Sequence, residues 1–345
     1  MKISIIGSGS WGCAIANVLY NQGNEIVMFS FIKEETEQLS RTRQNKNLPG
    51  LTLPKDIKYT DDISLAADAE VIILAVPSVY MRSTCVSLKP YITNQIIVDV
   101  AKGIEENTLY TMSEVIKSEL PRCDVVVLSG PTHAEEVALN LPTCIISACE
   151  NAEVAKKIAT LFEGSCIRAY TNTDVLGVEI CGALKNVIAL FCGIAQGVGC
   201  GDNAKAAIIT RGMLEMSRIG MAMGCFGQTF YGLAGMGDLI VTATSVHSRN
   251  NRCGQLIGKG YKVEDAVKEV GMVVEGLNAL GPAVALTQKY NVRAPIIDAL
   301  DEIVNNGADV VTVLKNVLYR PMRSELDRAD LDAIYDNMIE KGFRK

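Results

Sequence analysis

The sequence predicts an α/β protein in two parts: a doubly wound, mainly parallel, Rossmann-like N-terminal domain over residues 1–172, then an all-helical C-terminal domain over residues 173–345. Three observations carry this. A chain of 345 residues is longer than one hydrophobic core usually organises. The first half alternates short β-rich runs, apolar on both faces, with helical stretches, which is the pattern of buried parallel strands with helices between them. Beyond Asn172 the long stretches read at helical period with few β-branched alternations. The boundary falls at Thr171-Asn172-Thr173, a polar triplet able to cap a new helix.

In chain order, strands are expected at 2–6, 25–29, 71–76, 96–100, 125–128 and 143–148, with a helix at 13–22 between the first two. Helices are expected at 174–197, 203–223 and 263–270. Apolar residues make up 48% and charged residues 21%, with only 10 prolines, which excludes a disordered or collagen-like chain. A net charge of −6 offers no global basic field for nucleic acid or an anionic membrane, so an anionic ligand must be held by local cations. Eleven cysteines without a CxxC pair, and only His133 and His247 beside them, make neither a metal site nor a disulfide framework. They read as reduced, mostly buried thiols of a cytoplasmic protein. Uninterrupted apolar runs reach nine residues, as at 187–195, short of the ~20 that cross a bilayer. The strand opening at Lys2 leaves no room for a leader segment.

The first strand runs into Gly7-Ser8-Gly9-Ser10-Trp11-Gly12 and a helix follows, which is GxGxxG in a βαβ setting. Gly7 permits the tight turn, Gly9 lets backbone approach a pyrophosphate, Gly12 lets helix and strand pack closely, and the helix N-terminus faces the negative charge. This points to a dinucleotide. The second strand ends Met28-Phe29-Ser30-Phe31-Ile32-Lys33, without the acid that usually meets the ribose hydroxyls of NAD. No arginine stands there either, so a 2′-phosphate would depend on Lys33 or Ser30, and NAD and NADP both stay open.

From 176 to 201 the chain holds one Glu, Glu179, and one Lys, Lys185. At helical spacing Lys185 neighbours Cys181, Gly182, Ile188 and Ala189, none of which offers a counter-charge. Burying a lone ammonium is costly, and desolvation favours the neutral amine, the property of a proton-transfer group. The alternative is a lysine whose head reaches solvent. Adjacent Asn186 could orient a ligand.

The fifth strand leads into Ser129-Gly130-Pro131-Thr132-His133-Ala134-Glu135-Glu136, where Thr132 and Glu135 have capping-box spacing. This turn, like those at Ala75-Val76-Pro77-Ser78 and Val100-Ala101-Lys102-Gly103, lies at the carboxyl ends of strands, where α/β folds bind ligands. Lys102 brings a cation to that edge. Further on, Arg249 and Arg252 in the polar segment 248–252 read as a turn forming a phosphate fork, and Asp238 could pair with Lys185 or cap a helix.

With these residues in view, the chain resembles the bacterial-type NAD(P)-dependent glycerol-3-phosphate dehydrogenases over nearly its whole length. The resemblance rests on GSGSWG at 7–12, NLPG at 47–50, KG at 102–103, SGPTHAEEV at 129–137, GALKNVIA at 182–189, GDNAKAAIITRG at 201–212, AGMGDLIVT at 234–242, SRNNR at 248–252 and VVEG at 273–276, in that order. It implies Lys185 as acid/base, with Lys102, Gly130, Thr132, Asp238, Ser248, Arg249 and Asn250 at the substrate, and cofactor contacts from Ser10, Trp11, Lys102, Ala134, Arg249, Val273 and Glu275. Where the family often has Arg or His beyond the second strand, this chain has Phe31.

The expected reaction is hydride transfer between NAD(P)H and C2 of dihydroxyacetone phosphate, with Lys185 protonating the oxygen to give sn-glycerol 3-phosphate. Lys102 would add positive potential, and Arg249 and Asn250 would hold the phosphate. The resemblance also implies a homodimer serving glycerophospholipid synthesis. Two rivals stay open: a β-hydroxyacid dehydrogenase, which shares the glycine turn and a catalytic lysine but needs carboxylate recognition, and a nucleotide-sensing protein without chemistry.

Overall fold

A computed structural model of the chain describes residues 1–319, so residues 320–345 of the expected helical domain lie outside the described residues. The chain forms two units. The first comprises residues 1–105 and 110–179, and the second residues 106–109 and those from 180 onward.

The first unit is built on an eight-stranded sheet in the order β3-β2-β1-β4-β5-β6-β7-β8. The strands are β1 (Lys2–Ile6), β2 (Glu25–Phe29), β3 (Lys58–Thr60), β4 (Val71–Leu74), β5 (Ile96–Asp99), β6 (Val125–Ser129), β7 (Thr143–Ala148) and β8 (Ile167–Asn172). Their apolar runs are continuous because both sheet faces are covered. Side chains alternate between faces with period two. Accordingly Ile3, Ile5, Val71, Ile73, Val98 and Val126 enter one core with the helix Ser10–Asn21, while Ile6, Ile72, Leu74, Ile97 and Val125 enter the core on the other side. β1 pairs in parallel with both β2 and β4, so the chain order reverses at β1 and the first glycine turn stands at the switch point.

Several sequence expectations are corrected here. β3 and β8 were not anticipated. β3 is three residues long, and β8 is an edge strand whose exposed residues break the apolar run. β7, read with the parallel strands, runs antiparallel to β6, while the other pairings are parallel, in keeping with the mainly parallel sheet expected. The cap of the first helix after the sheet is neither Asn172 nor its threonine neighbours. Asp174 takes that place, its Oδ1 accepting from Gly177 N at 3.1 Å while Asn172 Oδ1 accepts from Asp174 N at 2.9 Å.

No strand follows Asn172 among the described residues. The helix Val175–Val198 is the one described element long and apolar enough to cross a membrane, yet 94% of its most apolar window is buried inside the protein. It is a core helix. Its partner is the helix Arg249–Gly258, and glycines set the approach: a Cβ at Gly193 or Gly197 would strike the carbonyl oxygens of Asn251 or Gln255. A Cβ at Gly254 or Gly258 would strike those of Leu190 or Ile194. Backbone therefore packs on backbone along both helices.

A buried carboxyl, Glu215 in the helix Asp202–Met223, closes the N-terminus of the helix Pro295–Val304. It accepts from Ile296 N at 2.8 Å and 3.0 Å and from Ile297 N at 3.2 Å. Burial outweighs these bonds and pushes its pKa up to about 8 from 4.5. The folded state thus favours the protonated form, so this group's stabilisation is complete below pH 4.5 and is lost as pH rises through about 8. The melting temperature of the unaltered protein should fall across that window, and Glu215→Gln should flatten the fall. A steeper fall in the variant would refute the assignment.

Candidate active site

The glycine turn after β1 has the shape a pyrophosphate needs. Gly7 adopts φ +113°, and a Cβ there would strike Ala75 O; a Cβ at Gly12 would strike Gly7 O. Gly9 differs, because no protein atom lies within 4 Å of where its Cβ would be. Packing in the protein does not itself demand glycine at that point; in dinucleotide folds the second glycine of this turn lets a pyrophosphate approach the backbone. Gly9 is also the N-cap of the helix Ser10–Asn21 and supplies no side-chain cap, which leaves that helix end for an anion. The residues fit a dinucleotide. Ser10 Oγ donates to Asn47 O at 2.9 Å and Asn45 Nδ2 to Ser8 O at 2.6 Å, so the NLPG segment and the asparagine two residues before it brace the turn. Trp11 is half-buried against the core below.

The end of β2 holds something the sequence did not disclose. Glu35, in the first turn of the helix Lys33–Thr42, accepts at one carboxylate oxygen, Oε2, from Ser8 Oγ at 2.7 Å and from Ser30 Oγ at 2.9 Å. An acid therefore does stand at the second strand, delivered by the following helix.

At the carboxyl ends of β5 and β6, Lys102, Gly130 and Thr132 converge. Lys102 Nζ and Thr132 Oγ1 both donate to Gly130 O, each at 3.1 Å. The Lys102-Gly103 turn sits directly on Ser78, with no room for a Cβ at position 103. Beneath it Asp99, fully buried, accepts from Ala101 N at 2.8 Å, and burial with the Glu179 carboxyl nearby raises its pKa well above the usual range. Thr132 is not a helix cap: the helix Ala134–Ala138 starts after His133 without a side-chain cap, because the Thr132 hydroxyl is turned to Gly130. Ala134 is buried at that helix start.

In the second unit Lys185 does not reach solvent. It is 6% exposed, and its Nζ lies 2.5 Å from Asp238 Oδ1 and 2.6 Å from Thr242 Oγ1. Thr242 in turn donates to Asp238 O at 2.7 Å. The counter-charge absent from the lysine's own helix comes from the helix Asp238–Thr244, which follows directly on a π-helical turn at Leu233–Gly237. Thr242 had no assigned role in the sequence, although four-residue spacing from Asp238 puts both on one helix face. An ion pair this buried needs further hydrogen bonds to offset the loss of water, and Thr242 supplies one.

Asn186 and Asn250 are also drawn together. Asn250 Nδ2 donates to Asn186 Oδ1 at 2.9 Å, and Asn250 Oδ1 accepts from Gly276 N at 2.8 Å. A Cβ at Gly276 would come within 2.5 Å of Asn186 O, which explains the glycine of the VVEG segment. Val273 is exposed beside it, and Glu275 opens the short helix Glu275–Asn278. The segment 248–252 is not a turn. Ser248 caps the helix Arg249–Gly258 through Asn251 N at 3.2 Å, and Arg249 is exposed in its first turn. The two-arginine fork is not formed, because Arg252 donates to Glu269 O at 3.3 Å.

A dinucleotide-type glycine turn on a doubly wound sheet, followed by a helical unit that holds a buried, ion-paired lysine, defines a nicotinamide-dependent dehydrogenase. Family models agree: the N-terminus of NAD-dependent glycerol-3-phosphate dehydrogenase matches residues 2–155 and its C-terminus residues 174–315. The chain belongs to this family. It is 52% identical to glycerol-3-phosphate dehydrogenase [NAD(P)+] 2 of Lactobacillus delbrueckii subsp. bulgaricus, covering 95% of this chain and 99% of that one. It is 47% identical to the Fusobacterium nucleatum glycerol-3-phosphate dehydrogenase [NAD(P)+], covering 94% and 99%. Among solved structures, the Coxiella burnetii glycerol-3-phosphate dehydrogenase superposes with TM-score 0.89 at 34% identity, covering 92% of this chain and 99% of that one.

Proposed function

We propose that the protein reduces dihydroxyacetone phosphate to sn-glycerol 3-phosphate with NADH or NADPH, and catalyses the reverse reaction. The observation that carries this is the Lys185 ammonium, held at 2.5 Å from Asp238 and 2.6 Å from Thr242 with no other cation in its helix. Bound nicotinamide supplies the hydride. Lys185 Nζ holds the proton destined for the C2 oxygen and takes it back in the oxidative direction. Asp238 and Thr242 fix where that proton points. Arg249, exposed in the first turn of its helix, is the cation for the phosphate, and the backbone N–H groups of that turn add to its field. Lys102, held at Gly130 O, brings positive charge to the carboxyl edge of the sheet.

In this reading residues 1–172 bind the cofactor and residues 173–345 the substrate. The resemblance extends to a cytoplasmic homodimer feeding glycerophospholipid synthesis.

The test is initial rates with dihydroxyacetone phosphate and each reduced nicotinamide nucleotide, beside a panel of 3-hydroxy acids. Rapid oxidation of the nucleotide by dihydroxyacetone phosphate, with the hydroxy acids inert, is expected. The opposite pattern would replace this function with that of a β-hydroxyacid dehydrogenase.

A further inference from the structure

We propose that Glu35 is a cofactor-specificity residue that selects NAD(H) over NADP(H), with Phe31 beside it as an uncharged platform for the adenine. The inference rests on the dehydrogenase reading above and adds to it which nucleotide the adenosine end accepts.

In doubly wound folds the pyrophosphate lies on the first glycine turn and the adenosine ribose at the end of the second strand. One carboxylate oxygen of Glu35 is hydrogen-bonded to both places at once, to Ser8 in the glycine turn and to Ser30 just after β2. Glu35 is only half-buried, and its other oxygen, Oε1, takes no hydrogen bond among the described residues. A carboxylate accepts and cannot donate, so the free oxygen suits the hydroxyls of an unmodified ribose diol.

The same geometry works against a 2′-phosphate. That group would bring close to two negative charges against a carboxylate already fixed in place. Ser30 cannot help, because its hydroxyl donates to Glu35 and accepts from Ile32 N at 3.2 Å, leaving it no hydrogen for a phosphate. Lys33, the other candidate, sits exposed at the start of its helix. At the position where an arginine would neutralise a phosphate stands Phe31. It is 55% exposed, and its ring is held edge-on against the buried Phe29 with centroids 4.7 Å apart. An exposed aromatic plate braced from below suits the face of an adenine. It supplies no charge.

The chain has one tryptophan, Trp11, in the first turn of the helix that follows Gly9, so its fluorescence reports nucleotide binding without any turnover. NADH and NADPH are titrated against the unaltered protein and against Glu35→Gln, which keeps an oxygen acceptor for Ser8 and Ser30 but removes the charge. ADP-ribose and its 2′-phosphate serve as probes that lack nicotinamide. The unaltered protein should bind the unphosphorylated member of each pair roughly tenfold or more tightly, and Glu35→Gln should reduce that preference by about tenfold, mainly by tightening the phosphorylated member. Phe31→Ala should weaken all four ligands alike, since all carry adenine. Equal affinity for NADH and NADPH in the unaltered protein would overturn the proposal while leaving the dehydrogenase reading standing, as would an unchanged preference in a folded Glu35→Gln protein. Failure to bind any of the four ligands would remove both.

Discussion

Lys185→Ala is expected to lower kcat for dihydroxyacetone phosphate reduction by about 10²- to 10⁴-fold, the usual contribution of a positioned proton donor. Nucleotide binding, read by Trp11 fluorescence, should survive, because the glycine turn belongs to the other unit. The substitution also removes the cation of the ion pair with Asp238, which is 1% exposed, and breaking a buried pair from one side costs about 3–5 kcal/mol. A loss of activity could then reflect unfolding. Lys185→Ala/Asp238→Ala separates the two effects: removing both charges should recover much of the stability and none of the turnover. Near-normal turnover in a folded Lys185→Ala protein would sink the acid/base assignment.

Gly254→Ala should be among the most damaging single-methyl changes in the second unit. The added carbon meets Leu190 O and, at 2.8 Å, Ile194 N, both main-chain atoms of a helix buried through most of its length. A flexible side chain could swing aside; a helix backbone must translate. Overpacking of this kind costs about 3 kcal/mol, which corresponds to a fall of roughly 6–12 °C in the melting temperature of a unit this size. Activity should fall below the melting transition too, since the helix Arg249–Gly258 begins with Arg249 and Asn250, the proposed phosphate-facing segment, and packs on the helix of Lys185. Gly260→Ala is the contrasting control: no atom lies within 4 Å of its Cβ position, although its φ of +95° makes the change strained for a purely local reason. Loss of packing should lower both stability and activity at position 254, whereas at position 260 only stability should suffer. Equal activity losses at the two positions would argue against a role for the helix contact.

The parts of this molecule legible in its sequence are those whose signal is local. The GxGxxG turn between β1 and its helix, the doubly apolar strands, and a solitary lysine in an apolar helix each lie within one stretch of chain. What escaped depends on partners far away in sequence. The direction of β7 is set by its pairing with β6, and nothing within residues 143–148 encodes it. Asp238 and Thr242 meet Lys185 across 53 and 57 residues, so the pair could be suspected but the third member not seen. Glu35 escaped for a subtler reason: an acid is sought on the second strand itself, and here it reaches that place from one helical turn further along. Thr132 failed as a cap because a nearby carbonyl competes for its hydroxyl, a choice that spacing alone does not decide.

Because the helices of Lys185 and Arg249 touch main chain to main chain, the spacing between the proposed proton donor and the proposed phosphate cation is set like the fixed opening of a caliper. Trimming side chains near those two residues would remove bulk without widening that opening. Admitting a longer phosphorylated ketone would call for a wider spacing of the helix axes, which means rebuilding Gly193, Gly197, Gly254 and Gly258 together.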